Sequence, residues 1–407
     1  MFVSIRVRIY LPFACAYFLS YLLRTINAVV SPELSRELDL GPAALGLLTS
    51  AYFLAFCAIQ LPNGIFLDRF GPRRTEAALL LFTAVGCALF SLGESLTTLT
   101  IARALIGLGV SACLMGSLKA ISLWFPSERQ PSMANWIMVA GALGAVATTV
   151  PLEFAIQYVS WRVLFAATAV ATLCASAFMF FTVPDPPQAR VPTTFSQQWQ
   201  GVVDIFRSPR FWWIVPVASV PMGCYMAIQS LWAVPWMMDV EGMSRAQAAQ
   251  RLFNLAVFQL ICYFCLSLGQ RALTRHGIEP RHIYAVGIGL HVLGIIGMVL
   301  PHSLGYLPMW YLMTLGAAVN VLSFTVFTQN LAKDMVGRAA TAMNQILFAA
   351  CFALQWGIGA LVELGMSAYA LSKQAAFVMT FACLAVAQAL TYLWFVRGWR
   401  RFSHAPA

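Results

Sequence analysis

Three positively charged side chains stand inside long apolar stretches of this sequence. They are Arg24, Arg103 and Lys119. A planar guanidinium can hold a carboxylate or a phosphate through two parallel hydrogen bonds, whereas an ammonium acts as a point charge. If the apolar stretches cross a membrane, charges within them are costly and usually mark a substrate or ion pathway. The pattern therefore predicts a site for an anion.

Polar residues accompany Arg24 at helical spacing. Ser20, Arg24 and Asn27 are spaced i, i+4 and i+7, so they share one helix face with Tyr17. Arg24 lies more than halfway along its apolar run, which favours substrate contact over a side chain that extends to the membrane surface, although that alternative stays open. We predict that Tyr17, Ser20, Arg24 and Asn27 contact the substrate.

Amide side chains recur inside the apolar runs of the second half of the chain. One amide alone is explained equally well by hydrogen bonds that join neighbouring helices. Taken together, the amides predict a polar cavity. The predicted substrate contacts therefore also include Lys119, Asn320, Asn344, Gln345 and Gln355. For Lys119 the alternative is a stem that reaches the cytosol.

Glu153 is the acidic residue that we place inside an apolar run of the first half. It is the candidate for proton coupling, or for an ion pair with Arg24 or Arg103 when no substrate is bound. A carboxylate at the outer edge of the membrane that simply reaches water is the alternative.

The composition identifies the class of protein in which these residues lie. Of 407 residues 60% are hydrophobic and only 10% are charged, and the mean hydropathy is +0.76. These values exclude a soluble globular protein and a disordered chain. The net charge of +10 does not indicate a nucleic-acid partner, because the basic residues lie in short loops between apolar runs. The chain is predicted to be a polytopic membrane protein whose surroundings are a lipid bilayer.

Twelve apolar runs are long enough to cross a bilayer. The predicted spans are 10–30, 43–67, 77–92, 99–125, 133–156, 163–183, 211–238, 248–269, 283–300, 305–331, 339–364 and 376–396. We predict an all-α membrane protein of two six-helix bundles. The first is residues 1–183, the second is residues 211–407, and residues 184–210 form a cytoplasmic linker with an amphipathic helix on the membrane surface.

Lys and Arg predict the orientation of the spans. Seventeen of the 25 basic residues fall in segments that share one side with both termini, and four fall in loops on the other side. Cytoplasmic loops carry the excess of positive charge. Both termini are therefore predicted to be cytoplasmic. All ten cysteines lie inside apolar runs, so neither a metal site nor a cofactor is predicted.

The segment between predicted spans two and three carries a recognisable pattern. Residues 63–74 read N-G-I-F-L-D-R-F-G-P-R-R, which resembles the signature G-x-L-x-D-R-x-G-R-R of the major facilitator superfamily. The resemblance implies that Asp68 lies against the start of span eleven and locks the halves on the inner side, since helix N-termini attract negative charge. The implied gating residues are Gly64, Asp68, Arg69, Gly71, Arg73 and Arg338. A topology signal with a tight turn is the alternative.

Span one is similar to that of the organic-anion branch of this superfamily, the anion:cation symporters, which reads N-Y-x-D-R-x-N. Tyr21, Arg24 and Asn27 match, whereas Leu23 replaces the Asp. In span four the Glu seven residues after the arginine is replaced by Val110, and residues 124–129 then read W-F-P-S-E-R, as in that branch. The resemblance thus implies an anionic substrate that contacts Arg24 and Arg103, and it leaves the coupling mechanism open.

These observations predict a secondary active transporter rather than an enzyme. The chain has no HExxH, GxSxG or Walker-type motif, and its loops are too short for a catalytic domain. We expect a monomer in the bacterial inner membrane that moves a small organic anion by alternating access, coupled to a proton or to sodium. The alternative is a multidrug or neutral-solute (sugar, peptide) exporter of the same fold.

Overall fold

The computed structural model describes residues 2–126, 129–184, 200, 203–300, 305–328 and 333–402. Over these residues the chain is almost wholly helical and has no β-strand. In lipid the backbone N–H and C=O groups need partners within the protein, and a helix supplies them within one segment. The predicted all-α membrane class is therefore confirmed.

The chain forms two compact units. The first comprises Met1–Leu40 and Leu47–Gln198, and the second comprises Gly41–Gly46 and Trp199–Ala407. The helices that precede the linker are α1 (Phe2–Leu38), α2 (Pro42–Ala58), α3 (Gln60–Leu92), α4 (Leu96–Val110), α5 (Cys113–Trp124), α6 (Gln130–Ala147), α7 (Val150–Ile156) and α8 (Trp161–Thr182). Those that follow it are α9 (Pro209–Ala227), α10 (Ala233–Asp239), α11 (Arg245–Arg275), α12 (Pro280–Gly297), α13 (Leu307–Val319), α14 (Leu322–Thr328), α15 (Lys333–Ala368) and α16 (Lys373–Phe402).

In the described parts of the chain, ten segments are long and apolar enough to cross a bilayer. Two predicted spans fall outside this set. The span predicted at 43–67 is divided between α2, which has only 17 residues, and the beginning of α3. The span predicted at 283–300 corresponds to α12, in which Arg281, His282 and His291 lower the mean hydropathy. A total of twelve spans therefore stays a prediction.

Five of the predicted spans are interrupted. Besides the span 43–67, span five is divided at Thr148 and Thr149 between α6 and α7. Span four is divided at Ser111 and Ala112 between α4 and α5, and span ten is divided at Asn320 and Val321 between α13 and α14. Span seven contains a π-helical turn at Ile228–Trp232. Irregular backbone at membrane depth is tolerated where protein covers it or where it lines a cavity. At these interruptions we therefore expect the backbone to be enclosed by protein or to line a cavity.

Glycines allow the helices of the first unit to approach closely. A Cβ atom at Gly107 of α4 would overlap the backbone of Tyr52 in α2, and one at Gly144 of α6 would overlap the backbone of Phe18 in α1. In lipid, where apolar surface gains little by pairing, such close approach supplies much of the attraction between helices. These contacts fix α1, α2, α4 and α6 around the charged residues of spans one and four.

The predicted linker is only partly covered by the described residues. Residues 185–199, where the sequence predicts the beginning of an amphipathic helix, lie outside them, and residues 203–207 are helical. The position of this helix on the membrane surface stays a prediction.

Candidate substrate site

The guanidinium of Arg24 lies among aromatic rings in the first unit. Its side chain is only 8% exposed, and its Cζ lies 4.5 Å from the ring centroid of Tyr21 and 5.7 Å from that of Phe56. Tyr17 and Tyr52 are also within electrostatic range of the charge. Aromatic faces attract a cation without neutralising it. The arrangement therefore holds a positive charge in a place from which it can attract an anion.

Arg103 is the second buried guanidinium and is held by the backbone of α1. Its side chain is fully buried, and its Nη1 donates a 2.9 Å hydrogen bond to the carbonyl oxygen of Leu23. Its Cζ lies 5.4 Å from the ring centroid of Tyr52. The hydrogen bond therefore ties α4 to α1, and the guanidinium of Arg103 contacts α1 one residue before Arg24.

Tyr52 is the residue of this site that sequence reasoning missed. It is 1% exposed, and both buried arginines lie near it. A single tyrosine in an apolar run gives little signal, because aromatic residues are common in membrane helices. Its importance follows from the close approach of Gly107, which brings α4 and Arg103 against this part of α2.

The remaining predicted contacts of span one are buried with Arg24. Tyr17, Ser20 and Asn27 are each 3% exposed or less. Asn27 Nδ2 donates a 3.1 Å hydrogen bond to Oγ1 of Thr49, and the hydroxyl of Tyr17 donates to the sulfur of Met138 at 3.9 Å. These bonds tie α1 to α2 and α6. Tyr17 and Asn27 therefore help to position α1, in addition to any contact with substrate.

Lys119 lies with the signature segment and not with Arg24. Its Nζ is 2.9 Å from Oδ1 of Asp68, and the two side chains are 39% and 25% exposed. The sequence placed Lys119 among the substrate contacts, or alternatively at the cytosol. The ion pair instead joins a predicted substrate residue to a predicted gating residue.

The signature segment turns sharply at Gly71, whose φ of 79° lies in the region that favours glycine. Arg73 then donates from Nη1 to the carbonyl oxygen of Val183 at 2.9 Å, which ties the turn to the end of α8. Arg69 is exposed, with its Cζ 5.4 Å from the ring centroid of Phe70. Gly64 lies half-buried one helical turn before Asp68. The side chain of Arg338 is outside the described part of the structure, so its gating role stays a prediction.

The amides of the second unit differ in their surroundings. Gln355 is fully buried and donates from Nε2 to Oγ of Ser230 at 3.3 Å. Asn320 is 5% exposed, stands at the interruption of span ten and accepts a long 3.5 Å hydrogen bond from the hydroxyl of Tyr284. These two amides join helices, which is the alternative given for single amides. Asn344 and Gln345 are half-buried in α15 and remain predicted substrate contacts.

Two acidic residues of the first half occupy different environments. Glu153 is half-buried in the short helix α7. Glu76, which sequence reasoning did not count among the residues of a span, is fully buried in α3. It was missed because it directly precedes the predicted start of span three at residue 77, where an acidic residue is expected to belong to the loop. Glu153 is therefore not the only acidic residue within the helices of the first half.

Within the described residues, no group of three or more His, Cys, Asp or Glu side chains is arranged to hold a metal ion. The features that could act on a solute are the buried arginines and the polar groups around them. Together with the apolar helices, they describe a multi-pass membrane protein. The model of the Major Facilitator Superfamily matches residues 13–355, and the chain belongs to this family of transporters.

Individual relatives are distant and include carriers of different solutes. A galacturonate transporter of Dickeya chrysanthemi is 26% identical over 43% of this chain and 51% of its own. A nitrate/nitrite transporter of Picosynechococcus is 22% identical over 66% of this chain and 55% of its own. The chain thus spans about half the length of these two relatives. A multidrug resistance protein of Salmonella typhimurium is 25% identical over 77% of this chain and 76% of its own.

Among solved structures, the chain is similar to a bacterial homologue of the human lysosomal transporter Spinster in an inward-facing, occupied conformation. The TM-score is 0.79 at 16% sequence identity, over 99% of both chains. Identity at this level supports the fold alone. The similarity agrees with the all-α fold that the sequence predicts, and the count of twelve spans stays a prediction.

Proposed function

We propose that this protein is a secondary transporter that carries a small organic anion across the bacterial inner membrane by alternating access. The observation that supports this proposal best is the pair of buried guanidinium groups, Arg24 and Arg103, near Tyr52. A site for cationic drugs would be expected to present acidic groups. Here two buried positive charges meet at α1, because Arg24 belongs to that helix and Arg103 of α4 donates a hydrogen bond to the carbonyl oxygen of the preceding residue, Leu23.

Arg24 is the proposed primary contact with the anion. Arg103 already donates one hydrogen bond to Leu23, so it contributes mainly its charge and holds α1 in place. A carboxylate of the substrate can accept two parallel hydrogen bonds from the Arg24 guanidinium, while Tyr17 and Ser20 on the same face supply further polar contacts. Such charge-assisted hydrogen bonds contribute about 1.5–3 kcal/mol each.

The direct test is uptake of candidate anions by the purified protein in liposomes. Galacturonate, tartrate and nitrate are suitable probes, because curated relatives carry them or closely similar anions. We expect saturable uptake of at least one carboxylate, and competition by other small carboxylates. Uptake of a lipophilic cation, with none of the anions carried, would contradict the proposal.

An exporter of drugs or neutral solutes is the second candidate, and it is supported by the similarity to a multidrug resistance protein over three quarters of both chains. Resistance assays in cells that overproduce the protein distinguish the two. An anion carrier is not expected to raise resistance to lipophilic cations, whereas an exporter would.

The proposal includes an orientation and a gate. The distribution of Lys and Arg supports cytoplasmic termini, which places the Asp68–Lys119 ion pair at the cytoplasmic end of the first half. Fusion of each terminus to a reporter that is active only in the cytoplasm, and to one that is active only outside it, tests this orientation.

Two further parts of the proposal are coupling to a proton or to sodium, and a monomeric state. Flux measurements under imposed ion gradients test the coupling, and light scattering of the purified protein tests the monomeric state.

A further inference from the structure

Glu76 is a buried carboxyl group that the anion site described above does not use. Its side chain is 0% exposed in α3, and neither carboxyl oxygen has a hydrogen-bond partner of ordinary geometry. Its polar neighbour is the thiol of Cys113 in α5, which provides at most a weak hydrogen bond. Nor does Glu76 take part in an ion pair with the described residues.

The space around the carboxyl group is matched to its size. A Cβ atom at Gly116 of α5 would overlap Oε2 of Glu76 and would lie 3.6 Å from a methyl group of Leu67. On the other side of α3, Ser176 of α8 donates a 2.7 Å hydrogen bond to the carbonyl oxygen of Ala77. The carboxyl group is thus enclosed where α5 packs against α3, and it fits there because Gly116 has no side chain.

An ionised carboxylate without hydrogen bonds would be costly in this place, because nothing replaces the water that solvates the charge. On α3 and on the helices that pack against it, α4, α5 and α8, the charged and titratable groups are few, and the acidic one besides Glu76, Asp68, is paired with Lys119. The others are Arg69, Arg73, Arg74 and Cys87 on α3, Arg103 on α4, Cys113 on α5, Arg162 and Cys174 on α8, and Arg24 on α1, which packs against α5. In the conformation seen here the side chain is therefore the neutral acid, which carries a proton.

We propose that Glu76 is the proton-binding group that couples proton movement to transport. The inference rests on the proposed transport of an anion and replaces Glu153 in this role. α5 begins directly after the interruption at Ser111 and Ala112, so it can move relative to α4 and open its contact with α3. The half-exposed ion pair of Asp68 and Lys119 at the end of the same α3–α5 contact gives water a route towards the carboxyl group.

The direction of coupling follows from the charges near Cys113. This thiol is within electrostatic range of both Glu76 and Arg24. The positive charge of Arg24 opposes the binding of a proton nearby, and an anion bound to Arg24 cancels that charge. Because linkage is reciprocal, a proton on Glu76 then also favours the anion. Proton and anion are carried in the same direction.

The protonation state is measured without a substrate. Infrared spectra of the purified full-length protein in lipid at neutral pH report the carbonyl stretch of a buried carboxylic acid, while exposed carboxylates do not contribute. We expect this band in the wild type and in the control Glu94→Gln, whose side chain is exposed between α3 and α4. We expect its loss in Glu76→Gln, which keeps the shape of the neutral acid. A band that survives in Glu76→Gln, or one that Glu153→Gln removes, overturns the proposal.

Coupling is measured in liposomes with galacturonate as the probe and a pH-sensitive dye. Because a glutamine amide does not bind the coupled proton, Glu76→Gln is expected to carry galacturonate with a ratio of protons to galacturonate that falls to the background of protein-free liposomes. A wild-type ratio in this variant overturns the inference, although anion transport still stands. If the wild type carries no anion, the proposed function fails, and the infrared result still decides whether Glu76 carries a proton.

Discussion

The ammonium group of Lys119 lies 2.9 Å from the carboxylate of Asp68, and this ion pair joins α5 to the signature segment of α3. Both side chains are partly exposed, at 39% and 25%. An exposed pair of this kind adds at most about 1 kcal/mol to stability. A large effect of either residue on transport would therefore come from the conformational cycle and not from folding.

Asp68→Asn is expected to insert and fold normally but to transport slowly. The variant keeps the shape of the side chain and removes the charge that pairs with Lys119 and that the proposed gate requires. The measurement is uptake in liposomes at equal amounts of folded protein. Wild-type flux would show that Asp68 acts only as a residue of the turn.

Exchanging the two charges distinguishes between two roles of Asp68, one through its ion pair with Lys119 and one through the proposed gate. If Asp68 acts mainly through Lys119, the double variant Asp68→Lys with Lys119→Asp is expected to regain a large part of the flux that each single variant loses. If Asp68 acts through the start of span eleven, the double variant stays as slow as Asp68→Asn. The single variants Asp68→Lys and Lys119→Asp complete the double-mutant cycle.

Arg24→Lys is expected to weaken anion binding at least roughly tenfold, because the ammonium keeps the charge but loses the planar fork. Arg24→Ala is expected to nearly abolish binding. The measurement is binding or uptake of whichever probe the wild type carries, with folding confirmed by size-exclusion chromatography. If both variants bind like the wild type, the anion site is not at Arg24.

Arg103→Met is expected to keep or raise the melting temperature while it slows transport. Arg103 is fully buried, and replacement of a buried charge by an apolar side chain of similar volume is often neutral or stabilising. The loss of positive charge beside Arg24 should nevertheless lower the affinity for the anion roughly tenfold, which is the effect of losing one charge-assisted hydrogen bond. A large fall in melting temperature with unchanged transport would give Arg103 a structural role only.

Gly107→Ala is expected to destabilise the first unit by about 1–3 kcal/mol, the usual cost of overpacking. The added methyl group would overlap the backbone of Tyr52, which cannot move as a flexible side chain would. Gly357→Ala in α15 is the matched control, because nothing lies within 4 Å of the added atom. The control should be neutral or stabilise the helix by about 0.5–1 kcal/mol. Equal melting temperatures for the two variants would argue against close packing at Gly107.

Sequence reasoning was most successful where lipid imposes the answer. Apolar runs must become helices in a bilayer, so the fold class followed from hydropathy, and the family followed from the segment around Asp68 and Gly71. It failed at helix boundaries. Glu76 was assigned to a loop because the predicted span began one residue later, and the predicted span 43–67 is divided between two helices. A break in a helix involves only one or two residues and leaves the mean hydropathy of the span almost unchanged. The hydropathy of the sequence therefore does not reveal where a helix is broken.

The sequence by itself determined that Arg24 and Arg103 lie within membrane helices, since their positions along the apolar runs are fixed by the covalent chain. Only the tertiary structure decided what each charge meets. Arg103 reaches the carbonyl oxygen of Leu23, Lys119 reaches Asp68, and Glu76 is enclosed beside Gly116. These contacts depend on how closely separate helices approach. Small residues on one helix and backbone atoms on another set that distance, and no periodicity within a single helix encodes it.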